Sequence, residues 1–333
     1  MKFDFTDDQH EIKRTAKDLL SQRSTAERVR TAAESKTYDE SLWTELAELG
    51  WPGVAISEDH GGGGLGVIEL ATLLEESGYA LANSPLLASA ACAIAIQEAG
   101  SQAQKEEWLP KLASGEAKGS FGIDTQTFPD VFDSDVIVVV ARDERSVSLV
   151  PTERAVVTEV DSVDPTRRYG YVGLGEGSDP MPGNADTVLS IVATMTAAEL
   201  AGVCQRSLEM TVEYVKERRQ FGRPVGSFQA VQHNCALMLR HTEAARSVTY
   251  YAAWAADADR TLLAQAAALA KSSASKAGVE VTAAAIQAHG GIGFTWEADI
   301  HWFYKRAQLD AAYLGGAKKH RARLAAIAAE AAD

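Results

Sequence analysis

Three cysteines in 333 residues, Cys92, Cys204 and Cys235, are too few, too widely spaced and odd in number for a disulfide framework or a Cys-rich zinc site. They suit a reducing cytosol, so a cytoplasmic location and no metal are expected. The N-terminus, Met1-Lys2-Phe3-Asp4, lacks the basic-then-apolar layout of a signal peptide, and no apolar run approaches the roughly 18 residues of a membrane span. Positive charge is scarce: 32 Lys and Arg against 46 Asp and Glu leave −14 at pH 7. Nucleic-acid affinity comes largely from cations displacing condensed counterions, so nucleic acid is not an expected partner. Local basic clusters remain at Lys216-Glu217-Arg218-Arg219 and Lys318-Lys319-His320-Arg321, and each either faces a phosphate or is a solvated helix end. The signatures of HExxH metalloproteases, Walker A NTPases and GxSxG hydrolases are all missing, which removes the usual anchors of those chemistries.

What is present is an ordinary folded composition, 46% hydrophobic and 23% charged, in a chain long enough for about two domains. Up to about Leu112 the pattern is helical, with Ile12, Ala16, Leu19 and Leu20 at helical spacing behind Asp7 and Asp8. Further helices are expected through Leu42, Leu46 and Leu49, from Val67 to about Ser77, around Ala88 to Gly100, and in a short segment ending at Trp108-Leu109-Pro110. After Gly119 the β-branched runs Val136–Val140, Val147–Val150 and Ala155–Val157 predict a small β domain. The stretch from Gly170 to Asp186, rich in Gly and Pro, reads as a connecting loop. Long Ala-rich segments near 188–218, 227–256, 262–289 and 317–331 predict an antiparallel helical bundle. The expected division is 1–118, 119–187 and 188–333, mainly α with a small β domain.

Gly61, Gly63 and Gly66 satisfy the spacing of a dinucleotide-binding loop, but helices surround them and Glu58 and Asp59 would repel a pyrophosphate. A turn before the next helix is the better reading. More informative is the stretch from Tyr214 to Pro224, with Arg218, Gln220 and Phe221, followed by Phe228 and Gln229. Arg offers a bidentate phosphate contact, Gln bonds polar edges and Phe packs on a ring, which is what gripping a pyrophosphate and a planar heterocycle requires. A second stretch, Gln287-Ala288-His289-Gly290-Gly291-Ile292-Gly293-Phe294-Thr295-Trp296, places adjacent glycines at a helix end, where they either admit a ligand to the backbone or terminate the helix.

Together, and with Glu45–Trp51, the Gly61–Gly64 turn and Trp108–Glu116, these stretches resemble the acyl-CoA dehydrogenase family over nearly the whole chain. The resemblance implies a helical N-terminal domain, a β domain and a C-terminal four-helix domain, with FAD held between two subunits. It implies that one subunit's β domain holds the isoalloxazine while its neighbour donates Arg218, Gln220, Phe221, Gln287, Gly290 and Gly291, with Phe228 and Gln229 toward the adenosine end. An acyl-CoA thioester is the implied substrate, and an electron-transfer flavoprotein or similar acceptor the implied redox partner.

The sequence departs from that family where the catalytic base belongs. Most members carry Tyr-Glu-Gly-Thr near the C-terminus, and the matching residues here are Tyr313-Leu314-Gly315-Gly316. Leucine has no lone pair, so no tuning restores a base at Leu314. In members that place the Glu on an earlier helix, counting back from Phe221 lands on Val192. Glu199 lies seven residues further on, about 10 Å along a helix, and is read as a surface residue and a poor substitute. The family's flavin-contacting motif is replaced by Phe121–Thr127, and Gly177-Ser178-Asp179 falls too late to serve. The expectation is a subunit of a heterotetrameric FAD-dependent acyl-CoA dehydrogenase, acting in fatty acid or steroid degradation, that completes the FAD site of a homologous catalytic partner. The alternatives are a self-sufficient homo-oligomer with a relocated base such as Glu199, and a non-catalytic binding protein on the same fold.

Overall fold

A computed structural model of the protein describes residues 4–174 and 177–330. Met1, Lys2 and Phe3, used in reading the N-terminus, lie outside the described residues, as do Gly175 and Glu176 of the Gly- and Pro-rich stretch. Six helices come first: α1 (Asp7–Arg23), α2 (Ala26–Ser35), α3 (Glu40–Glu48), α4 (Val67–Ala80), α5 (Leu86–Ala99) and α6 (Gln102–Ala113). Thr6 starts α1 with a capping box, its hydroxyl accepting from the Gln9 amide while the Gln9 side chain accepts from the Thr6 amide. α2 is additional to the expected helices. α6 runs on through Pro110 to Ala113, because Leu109 and Leu112 are fully buried on either side and hold the last turn to the core against a proline cost of about 3 kcal/mol. The Gly61–Gly66 segment is a turn into α4. The Val67 and Ile68 amides, which a pyrophosphate would need, donate instead to the Asp257 carboxylate at 2.8 and 3.1 Å.

Among the described residues the β region holds two sheets. The strands are β1 (Gly119–Ile123), β2 (Phe128–Pro129), β3 (Val136–Val140), β4 (Val147–Pro151), β5 (Val156–Val160), β6 (Tyr169–Gly173) and β7 (Asp179–Met181), ordered β1-β3-β4-β7 and β2-β6-β5. β3 is an unbroken apolar run because both its faces are covered: Val136, Val138 and Val140 join the core under α5, and Ile137 and Val139 face the second sheet. The interval from Gly170 to Asp186 is therefore not simply a loop, since it contains most of β6 and all of β7. Gly170 serves close approach rather than flexibility, because a Cβ there would stand 2.9 Å from Val131.

The chain then returns to helices: α7 (Ala185–Glu217), a hairpin of β8 (Arg219–Gln220) and β9 (Arg223–Pro224), α8 (Gln229–Ala258), α9 (Leu263–His289), α10 (Ile300–Ala312) and α11 (Ala317–Glu330). α7, α8 and α9 pack on one another as the bundle, with α10 and α11 against α9. α10 was not expected from periodicity. By length and composition α7 does contain a segment apolar enough to cross a membrane, contrary to the reading of the sequence, but that segment is almost wholly buried as the central helix. Its apolarity follows from being enclosed on every side.

α7 approaches α4 at glycine contacts. A Cβ on Gly202 would lie 1.8 Å from the Glu75 carbonyl oxygen, and one on Gly78 would lie 2.1 Å from that of Glu199. Gly202→Ala is therefore expected to destabilise the fold by about 3 kcal/mol and lower the thermal midpoint by several degrees. A melting temperature within a degree of wild type would show that the two helices are not locked at this distance.

Candidate functional site

The residues singled out for cofactor binding gather at one end of the bundle. Arg218 ends α7, and the hairpin after it turns on Phe221 and Gly222, both with positive φ (53° and 79°), as a two-residue hairpin loop requires. A phenylalanine rarely accepts that conformation, and this one is 91% exposed. Phe228, at the start of α8, meets the Phe221 ring edge-on at 6.2 Å and carries the Arg223 guanidinium 4.1 Å above its own ring. Gln220 and Gln229 are exposed beside it. The second stretch is brought alongside by Tyr214 of α7, whose ring stacks on His289 at 4.4 Å and whose hydroxyl donates to the His289 carbonyl at 3.3 Å. Gln287 is exposed on the last turn of α9, and Gly290, with φ of 65°, ends that helix.

This surface offers cations and bare backbone, with Glu213, Glu217 and Glu297 lining the groove beside Tyr214 and His289. Among the described residues neither Arg218 nor Arg219 forms an ion pair. A Cβ on Gly290 or Gly291 would touch nothing within 4 Å, so the backbone is open to a ligand there. Phe294 and Trp296, 76% and 70% exposed, continue the surface. Free guanidiniums, exposed amides, an outward aromatic ring and an open backbone turn fit a dinucleotide with a pyrophosphate, which requires cations and N–H donors at the phosphates and flat apolar groups elsewhere.

The position aligned with the catalytic base is different. Leu314 is 2% exposed and belongs to the main core, and Val192 is fully buried. Leu314 has a φ of 59°, in the turn between α10 and α11. That turn is held from inside by Lys271, whose fully buried ammonium donates to the Asp310 and Ala311 carbonyls at 2.9 and 3.2 Å. Burial pulls the Lys271 pKa down to about 7. Tyr313 donates to the Phe121 carbonyl at 2.7 Å, tying the turn to β1.

Glu199 is not the surface residue expected from the sequence. It is 2% exposed and sits between two buried arginines: Arg167, on the loop before β6, donates to it at 2.7 and 3.3 Å, and Arg306 of α10 donates at 3.0 Å. Arg306 also donates to Asp164 and Thr166, each at 2.6 Å, and Arg167 to Asp310 at 3.2 Å. Asp130, hydrogen-bonded by Tyr38, lies 3.5 Å from Arg167. Four carboxylates thus face two guanidiniums out of water. Burial alone would raise the pKa of Glu199, but Arg167 and Arg306 outweigh it and hold the group below its ordinary value. Asp310 goes the other way: burial, with Glu199 beside it, raises it well above the ordinary value. Its Oδ1 accepts from Arg167 at 3.2 Å, while its Oδ2 has no hydrogen-bond partner among the described residues. Burial raises Asp130 to about 6, more than Arg167 and Tyr38 lower it. Sequence reasoning missed this cluster. The available signal was Arg306 and Asp310 on the same face of α10 as the apolar Phe303, Ala307 and Ala311.

Family models match both helical parts of the chain: "Acyl-CoA dehydrogenase, N-terminal domain" over residues 6–116 and "Acyl-CoA dehydrogenase, C-terminal domain" over residues 184–329. The chain belongs to the acyl-CoA dehydrogenase family, and FAD is the cofactor of that class. It is 36% identical to the acyl-CoA dehydrogenase IpdE2 of Mycobacterium tuberculosis, over 94% of this chain and 95% of that one. It is also 36% identical to IpdE2 of Mycolicibacterium smegmatis, over 95% and 97%. Among solved structures it superposes on the Tcur3481-Tcur3483 steroid ACAD G363A variant with a TM-score of 0.89, at 29% identity over 98% of both chains. The ChsE4-ChsE5 complex from Mycobacterium tuberculosis gives a TM-score of 0.89 at 25% identity over 99% of both.

The buried cluster predicts two opposite outcomes from two isosteric changes. Asp310, whose pKa burial and the nearby Glu199 push up, should tolerate the neutral Asp310→Asn within about 1 kcal/mol of wild type, whereas Glu199→Gln uncovers two guanidiniums and should cost about 3–5 kcal/mol in chemical denaturation. The pH dependence has two flanks. The contribution from Asp130, whose folded pKa is raised, is complete below its ordinary 3.8 and is lost as pH rises through about 6. That from Glu199, whose folded pKa is lowered, is complete above 4.5 and is lost as pH falls. Equal costs for the two variants would contradict this assignment of charge.

Proposed function

We propose that this chain is the donor subunit of a heteromeric FAD-dependent acyl-CoA dehydrogenase: it lends groups to the FAD site of a homologous catalytic partner and supplies no base itself. The single observation that carries the reading is the fate of the base positions. Leu314 and Val192 are buried and apolar, and Glu199, the nearby acid, has both oxygens engaged by Arg167 and Arg306. A general base must be ionised and within reach of a substrate proton. Glu199 is held ionised, but its lone pairs are committed to two cations and no water reaches it.

The opposite end of the bundle supports the donor role. Holding Phe221 in a left-handed conformation with its ring in solvent is unfavourable by itself, and becomes sensible when a second surface covers that ring. Arg218 would meet the pyrophosphate, Gln220 and Gln287 polar edges of the cofactor, and the backbone at Gly290 and Gly291 its close approach, with Phe228 and Gln229 toward the adenosine. Bound FAD supplies the hydride acceptor for α,β-desaturation of an acyl-CoA thioester. The chain's own contribution is to grip and orient. The proposed class of substrate is a bulky thioester such as a steroid-derived acyl-CoA, in keeping with the steroid ACAD structure named above, and an electron-transfer flavoprotein or similar protein would reoxidise the complex.

Arg218→Ala is expected to weaken FAD retention ten- to a hundred-fold in the co-purified complex, because hydrogen bonds to a charged group contribute about 1.5–3 kcal/mol. Lysine should restore only part of this, lacking the planar fork. The isolated wild-type chain should hold little FAD, and the complex about one per pair of unlike subunits. Flavin absorbance before and after dialysis reads both, and unchanged occupancy in Arg218→Ala removes the proposed contact.

A further inference from the structure

A second cavity, separate from the flavin-facing end, lies where α1 and the start of α2 meet α4, α7 and α10. Its volume is about 360 Å³. An engineered apolar cavity of about 150 Å³ takes up a benzene, so this one has room for a body roughly twice that size. Leu20, Val29, Leu81, Met210 and Phe303 form its apolar wall. We propose that it binds a small amphiphile with an apolar body and a carboxylate head.

Four observations fix the sign of the head group. Lys17 and Arg206 both line the cavity and stand over the ring of Tyr79, at 5.1 and 5.5 Å from its centroid. Neither forms an ion pair among the described residues. The two carboxylates in the wall each have a cation outside it: Lys13, shared with Glu75, lies 3.1 Å from Glu76, and Arg30 lies 2.7 Å from Asp299. Ser24, Thr25 and Ala26 bring the N-terminus of α2 to the wall, with the positive end of its backbone dipole. Trp302 also lines the wall, is 4% exposed, and carries an indole N–H with no acceptor among the described residues. A buried donor left unpaired is costly, and an anionic oxygen in the cavity would satisfy it. An amine head would meet two unpaired cations, and a neutral head would leave them unused.

Isothermal titration of the full chain at low salt, with octanoate, octan-1-ol and octylammonium as probes, tests the assignment. Octanoate should bind at one site, at least about ten-fold tighter than the alcohol, and the amine should not bind measurably. Lys17→Gln combined with Arg206→Gln should weaken octanoate about ten-fold or more with the melting temperature nearly unchanged, since both side chains reach solvent and hold no ion pair. Trp302→Phe, which deletes only the N–H and the smaller ring, should weaken it several-fold. Octanol binding as tightly as octanoate, no octanoate heat at all, or full affinity in the double variant would each overturn the proposal, and the first two need no variant to fold.

Discussion

Two guanidiniums, those of Arg167 and Arg306, meet Glu199 with no access to water, and three parts of the chain converge on them: the loop before β6, α7 and α10. Removing charges from water costs several kcal/mol each, so the arrangement holds only while every partner stays in place. The geometry of the C-terminal turn follows from it. α10 is pinned by Arg306 and Asp310, its end is capped by Lys271, and the chain leaves it through Leu314 with that side chain turned into the core. Leu314 and Val192 are both packed into the core beside this cluster.

The two ends of the bundle are built on opposite terms. Around Leu314 apolar groups are covered and polar groups are buried, most of them hydrogen-bonded, with Asp310 Oδ2, Asp130 Oδ2 and His320 Nδ1 left without a partner among the described residues. Around Arg218, among the described residues, Arg218 and Arg219 form no ion pair, glycines stand bare, and Phe221, Phe294 and Trp296 face solvent. A lone soluble domain gains nothing from exposed aromatic rings, one of them on a strained backbone. A subunit that completes a neighbour's cofactor site gains from both features, and the proposed donor role accounts for the contrast without a separate explanation for each residue.

Much of this was legible in the sequence because local chemistry decided it. The β-branched run Val136–Val140 read as a strand of a small β domain, and Arg218 with Gln220 and Phe221 stood out as a combination that a purely structural turn does not need. What was not legible depended on partners distant in sequence. Glu199 looked like a surface acid because Arg167 and Arg306 lie 32 and 107 residues away. Pro110 looked like a helix end until burial of Leu109 and Leu112 outweighed it. β6 and β7 were hidden because their glycines and prolines resemble a loop, and because Gly170 serves close strand packing rather than flexibility. The apolar length of α7 was underestimated for a related reason: a helix enclosed on all faces has no polar stripe to mark its period.

Putting the missing carboxylate back tests the central claim most directly. If Leu314 fills a closed core, Leu314→Glu in the isolated chain buries an unpaired acid, and it should lose several kcal/mol of stability in chemical denaturation while flavin fluorescence titration detects no site for FAD. If instead the variant keeps its stability and binds one FAD per chain, the position faces an open, usable cleft, and the account of this chain as a subunit without its own catalytic site is contradicted.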